Sequence, residues 1–112
     1  MAKYMVFIYG DEKQLSGADG NVITSIVEGH QKFAERHGAS LRGGGRLAPG
    51  AQAVSVRSGA DGPAAQQGPF HGDAAHHIGG YYVIEAEDMN EAAAIAGDVP
   101  ARFGGVEVRE IV

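Results

Sequence analysis

Histidine is the side chain whose ordinary pKa lies nearest neutrality, and this chain has five. Three of them, His71, His76 and His77, flank Asp73 in the stretch QGPFHGDAAHHIGGYYVIEA, residues 67–86. An imidazole beside a carboxylate is a natural general base or acid. Metal ligation is a different demand: several side chains must converge at about 2 Å, each oriented by an outer partner. His76 and His77 are neighbours, so in an extended strand they point to opposite faces and cannot share one ion. No metal is therefore expected, and the competing reading of the segment is a solvated, pH-sensitive loop.

His30 stands apart from that cluster. Around it, Val22/Ile23, Ile26/Val27 and Phe33/Ala34 recur at helical spacing, a stripe that ends near His37-Gly38. His30 fills the gap in the stripe, so the helix should aim it at whatever the stripe packs on. It is the candidate general base, with Asp73 as the acidic partner or Gln67 as an orienting one. The alternative is a packed histidine hydrogen-bonded to a carbonyl or a tyrosine. Arg46, Gln67, His71 and Tyr82 are candidate ligand contacts, Tyr81 sharing the case for Tyr82. The triple glycine Gly43–Gly45 is not a phosphate cradle, because no Walker-type Lys-Ser/Thr follows it and no strand-to-helix context surrounds it. No cofactor motif is present, and no cofactor is expected.

These residues need a scaffold, and a chain of 112 residues suffices for one domain spanning 1–112. Without cysteine there is no disulfide framework and no thiolate chemistry. The formal charge of −5, with Lys and Arg scattered, offers no footprint for a nucleic-acid backbone. No apolar run is long enough to span a bilayer, so a cytoplasmic protein is expected. The 18 glycines have no collagen-like period and mark turns and close approaches.

Lys3–Tyr9 is apolar on both alternating faces, which predicts a central strand covered on both sides. After the Gly10-Asp11-Glu12 turn, Asp19 or Asn21 caps the His30 helix, and Gly38 is the expected residue beyond its end. Leu41–Ala48 is a strand if its glycines allow a bulge or a bare patch. Ala53–Arg57 alternates, Val54 and Val56 on one face and Ser55 and Arg57 on the wet one. Residues 58–66 should be a mobile loop. Gly80–Ala86 is a strand; Asp88-x-x-Glu91 is a capping box for a helix over Met89–Ala96; Val106–Val112 is the last strand.

The order β-α-β-β-β-α-β is that of an α+β, ferredoxin-like sandwich, an antiparallel sheet with two helices on one face. The other face needs a cover, and a second copy of the chain is the expected one.

Gly68-Pro69-Phe70 followed by Ile78-Gly79-Gly80-Tyr81-Tyr82-Val83-Ile84-Glu85 resembles the signature segment of the YCII-related (DGPF-domain) family. The opening Tyr4–Glu12, the Gly44-Gly45-x-Leu47-x-Pro49 strand and the closing Pro100–Arg109 are similar to that family in order and spacing. The resemblance implies a dimeric α/β barrel and suspected activity from a His-Asp pair in a cleft. It also implies relatives found beside or fused to sigma factors. The aspartate of that family's signature is Gln67 here, so its role would pass to Asp73, or to Asp61 in the preceding loop. Two functions follow: a small-molecule binder or cofactor-independent lyase or isomerase using His30, or a non-catalytic ligand-sensing or interaction module tied to transcription.

Overall fold

The computed structural model describes residues 1–112, the side chain of Ala74 excepted. Its main sheet has four strands, β1 (Ala2–Gly10), β2 (Leu41–Arg46), β5 (His77–Ala86) and β6 (Gly104–Ile111), in the order β2-β5-β1-β6 with every pairing antiparallel. The apolar strand is thus central, as its two-sided pattern requires. A separate two-stranded hairpin, β3 (Val54–Arg57) and β4 (Ala64–Gln67), sits between β2 and β5 in the chain.

Three helices accompany the strands: α1 (Glu12–Ser16), α2 (Gly20–His37) and α3 (Met89–Ala96). Asp19 caps α2 by accepting the Val22 N–H, and Asp88 caps α3 by accepting the Glu91 N–H. Tyr4 and Val6 of β1, with Ile84 and Ala86 of β5, meet Phe33 of α2 and Ala92, Ile95 and Ala96 of α3 in one buried cluster. The two longer helices therefore cover one sheet face, the ferredoxin-like arrangement.

Four expectations need correction. Residues 64–67 are a strand and not part of a loop: Ala-Ala-Gln-Gln has no β signature of its own, and its pairing with β3 supplies one. The faces of β3 are also reversed. Val54 and Val56 are 61% and 59% exposed while Ser55 is 8% exposed, its hydroxyl donating to the Gly68 carbonyl at 2.7 Å. Asp11 opens a five-residue helix, α1, where only a turn and a polar crossing were read; its carboxylate accepts the Lys13 and Gln14 N–H groups. Gly38 follows α2 in a right-handed conformation, φ −56°, so the helix end does not use a left-handed glycine.

The glycines of β2 do have the purpose of a bare patch, and aromatic rings of β5 occupy it. A Cβ on Gly44 would lie 2.7 Å from Tyr82 Cδ1, and one on Gly45 would lie 3.2 Å from Tyr81 Cε1. These adjacent glycines, on opposite faces, thus let one tyrosine lie across each face of the sheet. The register shift between Leu41 and Gly43 is the expected bulge. Gly68, at φ +109°, is a glycine demanded by backbone conformation as it leads from β4 into Pro69.

The sheet face away from the helices carries a shallow apolar cavity of about 230 Å³ lined by Met5, Phe7, Leu47, Ile78 and Tyr81. The molecule is flat: its smallest extent is 18 Å, and its radius of gyration is 15.6 Å. A compact chain of this length would have a radius of gyration of about 13 Å.

Candidate functional site

The inward stripe of α2 consists of Val22, Ile26, Gly29, His30, Phe33 and His37, each more buried than its neighbours on the outer face. Gly29 is small because Pro100 presses on it; a Cβ there would meet Pro100 Cγ at 2.7 Å. One residue on, His30 reaches the sheet, and its Nδ1 shares a 2.8 Å hydrogen bond with the Tyr82 hydroxyl of β5. Tyr82 also packs on Phe33, ring centroids 4.8 Å apart. Burial holds the His30 imidazole below its ordinary value of 6.5 and pushes the Tyr82 phenol above its ordinary value of 10.0. Both groups are consequently neutral at pH 7. His30 Nε2, by contrast, is not sealed in and has no hydrogen-bond partner among the described residues. The result is a neutral imidazole fixed at one nitrogen and available at the other.

The other expected members of this site lie elsewhere. Asp73 binds His76 Nδ1 at 2.8 Å in an exposed turn, and it also accepts the Ala75 N–H. Those two bonds, His76 first, lower its pKa. The Gln67 amide donates to the Ala51 carbonyl, so neither Asp73 nor Gln67 orients His30. Tyr82 does, and its hydroxyl is thereby committed to a side chain of its own chain. Arg46 is exposed at the end of β2, where its backbone pairs with Gly80. His71 is exposed as well, its ring edge-on to Phe70 at 5.3 Å. Among the described residues, no three His, Asp or Glu side chains converge as a metal site.

Two histidine-carboxylate pairs were not read from the sequence. His77 Nδ1 lies 2.7 Å from Glu12 Oε1, a close contact off the line that a hydrogen bond needs, and its buried Nε2 has no partner among the described residues. The same Glu12 oxygen accepts the Gly50 N–H at 2.7 Å. Contact with His77, then the Gly50 bond, hold the Glu12 carboxyl below its ordinary value of 4.5. The signal for this pair is in the strand register: Gly10 stands opposite His77, which brings Glu12, two residues on, to the same end of the sheet. In the second pair, His37 Nε2 donates to Asp98 Oδ2 at 2.7 Å, joining the end of α2 to the segment after α3.

The family model of the YCII-related domain matches residues 2–112. The chain belongs to the YCII-related family. No curated protein matches the sequence. Among solved structures, this YCII-related protein is similar to 5-chloro-2-hydroxyhydroquinone dehydrochlorinase from Burkholderia phenoliruptrix AC1100, in its complex with 2,5-dihydroxybenzoquinone. The TM-score is 0.56 and the identity 15%, over 98% of this chain and 93% of that one, so the likeness concerns the fold. No helix among the described residues of this YCII-related protein is long and apolar enough to cross a membrane.

Proposed function

We propose that this protein is a cofactor-independent enzyme of small molecules in which His30 Nε2 moves a proton. The observation that carries the reading is the His30-Tyr82 pair: one ring nitrogen fixed by a phenol, the other open, and the imidazole neutral at pH 7. With its proton on Nδ1, the ring donates to the Tyr82 oxygen and presents a lone pair at Nε2. That lone pair can take the proton of a ring hydroxyl and return it to the ring carbon that bears the halogen, so that the hydroxyl oxygen becomes a carbonyl, and then take the proton of the conjugated hydroxyl as the halide leaves that carbon and a quinone forms. The step removes HX without an external oxidant. A small hydroxylated ring is the substrate class, supported by the dehydrochlorinase of the same fold, which was solved with a dihydroxybenzoquinone.

The test is turnover of halogenated hydroxyhydroquinones, read as halide release. His30→Gln should lower kcat/KM by about 10²- to 10⁴-fold, whereas Tyr82→Phe, which loosens the base without removing it, should cost roughly tenfold. The base must be neutral, so activity should be complete at pH 7 and fall as pH drops through the His30 value, below 6.5. Retention of full activity by His30→Gln would end the proposal.

The working unit under this reading is a homodimer that covers the apolar sheet face around Met5, Phe7 and Tyr81. Sedimentation at micromolar concentration should find two chains per particle, and a stable monomer would refute the pairing. The second reading, a non-catalytic ligand-sensing or protein-interaction module, draws support from the exposed Val54, Val56 and Phe70. It predicts partner binding unaffected by His30→Gln.

A further inference from the structure

Strand register sets Arg46 next to the His30-Tyr82 pair, although no bond joins it to either. In the β2-β5 pairing Gly44 stands opposite Tyr82 and Arg46 opposite Gly80, with no irregularity over residues 43–46. Residues directly opposite each other, and residues two apart along a strand, share a face. Arg46, Gly44, Gly80 and Tyr82 are therefore the four corners of one patch, on the side of the sheet from which Tyr82 meets His30 of α2. Two of the corners are glycine. Arg46 and Tyr82 occupy one diagonal, their Cα atoms about 7–8 Å apart, a span that a long side chain and an aromatic ring can bridge. The tyrosine already leans across β2, the strand of Arg46: a Cβ on Gly44 would meet its Cδ1 at 2.7 Å and its Cε1 at 3.2 Å.

The surroundings are accessible and short of anions. Val6, Phe33 and Ile84 are buried, but around the patch Ile8, Ile26 and His30 are each only partly so. The sealed core thus ends at His30. Arg46 is exposed, and among the described residues no carboxylate lies within ion-pair distance of it, whereas Arg42 on the same strand is held by Glu85. An arginine keeps its charge at every pH a folded protein meets and offers a planar fork of donors. The other two polar groups at the patch, the His30 imidazole and the Tyr82 phenol, are neutral at pH 7. A base and an unpaired cation therefore stand side by side, with no anion of the chain between them.

We infer that Arg46 is the substrate-binding residue of the His30 site and that it selects rings carrying oxygens on adjacent carbons. The inference rests on the reading of His30 as the base. When the imidazole takes the proton of a ring hydroxyl, it becomes a cation and leaves an oxyanion behind. Arg46 donates one N–H to that oxyanion and a second to the neighbouring oxygen. The fork matches two oxygens side by side and fits poorly where a ring carbon separates them. Because the cation is in place before charge develops, it also eases the loss of the proton.

The probe is 2,5-dihydroxybenzoquinone, whose hydroxyl and carbonyl oxygens are adjacent, titrated into the full chain and followed by its visible absorbance. Binding should be saturable and should weaken at least tenfold in Arg46→Gln, since hydrogen bonds to a charged group are lost. Arg46→Lys, which keeps the charge without the fork, should recover only part of the affinity. Catechol should bind more tightly than resorcinol, its isomer with separated oxygens, and Arg46→Gln should erase that preference. The side chain is exposed, so neither variant should move the denaturation midpoint. Absence of saturable binding, or equal affinity in Arg46→Gln, would overturn the inference; equal affinity for catechol and resorcinol would overturn the selection of adjacent oxygens. Halide release that Arg46→Gln leaves at full kcat/KM would refute Arg46 and leave His30 standing. Arg46-dependent binding by a protein that releases no halide would support Arg46 and refute His30 as the base.

Discussion

Replacing Phe33 with alanine should lower the free energy of unfolding by about 3–5 kcal/mol, a large part of the roughly 5–15 kcal/mol available to a domain. Phe33 is 2% exposed and is the largest side chain of the core that is fully buried. Its ring touches Tyr82 at 4.8 Å and His37 at 5.2 Å between centroids, so truncation opens a cavity at the point where α2 meets the sheet. The loss should register as a lower denaturation midpoint with an unchanged slope. Phe33→Leu keeps most of the volume but loses the ring contacts, and should cost about 1–2 kcal/mol.

Phe33 also walls the candidate site. With that wall removed, water reaches the His30-Tyr82 pair, and the His30 pKa should rise back toward 6.5, since burial is what lowers it. The shift has a consequence for stability. A histidine whose folded value is depressed stabilises the fold fully above its unfolded value and loses that contribution as pH falls below it. The wild type should therefore weaken on acidification from about pH 6.5 downward, and Phe33→Ala should show less of that dependence. An imidazole titration unchanged by Phe33→Ala would show that the two rings are not coupled.

The ease of reading each part follows from how local its causes are. β1 declared itself by being apolar on both faces, α2 by its stripe and the Asp19 cap, α3 by Asp88 and Glu91. Each of these is a property of consecutive residues. The direction of His30 was legible for the same reason, because helix geometry alone aims it inward. Its partner was not, because Tyr82 reaches it from a strand that only the sheet order brings close. Alternation in Val54–Arg57 told which residues share a face, but it could not tell which face turns inward; the bond from Ser55 to the Gly68 carbonyl decides that. The glycines of β2 marked a patch without naming what fills it, since the tyrosines belong to β5. Asp73 was drawn to His30 by the chemistry of the residue types, whereas the chain offers it His76 three residues away.

Gly50→Ala should destabilise the protein by about 1–3 kcal/mol, through contact with a single ring. An alanine Cβ at this position would lie 2.7 Å from His77 Cε1 and 2.8 Å from His77 Nδ1, with Glu12 Oε1 at 3.4 Å. Backbone strain is not the cause, because the glycines at positive φ are Gly62 and Gly68. At a compatible backbone, alanine in place of glycine stabilises by about 0.4–1 kcal/mol, so a net loss measures the collision. The His77 ring is 11% exposed and held against Glu12, leaving it little room to yield. His77→Ala removes the obstacle, and Gly50→Ala made in that background should be neutral or stabilising, a coupling of at least about 1 kcal/mol between sites in contact. The same pair of variants tests the carboxylate. Glu12 titrates below its ordinary 4.5 in the folded chain, His77 being the first cause, so its contribution is present above that value and lost as pH falls through the folded one. His77→Ala should shrink that acid-sensitive window while the bond from Gly50 to Glu12 preserves a remnant. Equal destabilisation by Gly50→Ala with and without the His77 ring would place the cause in the turn at residues 50–52 and dissolve the three-way contact.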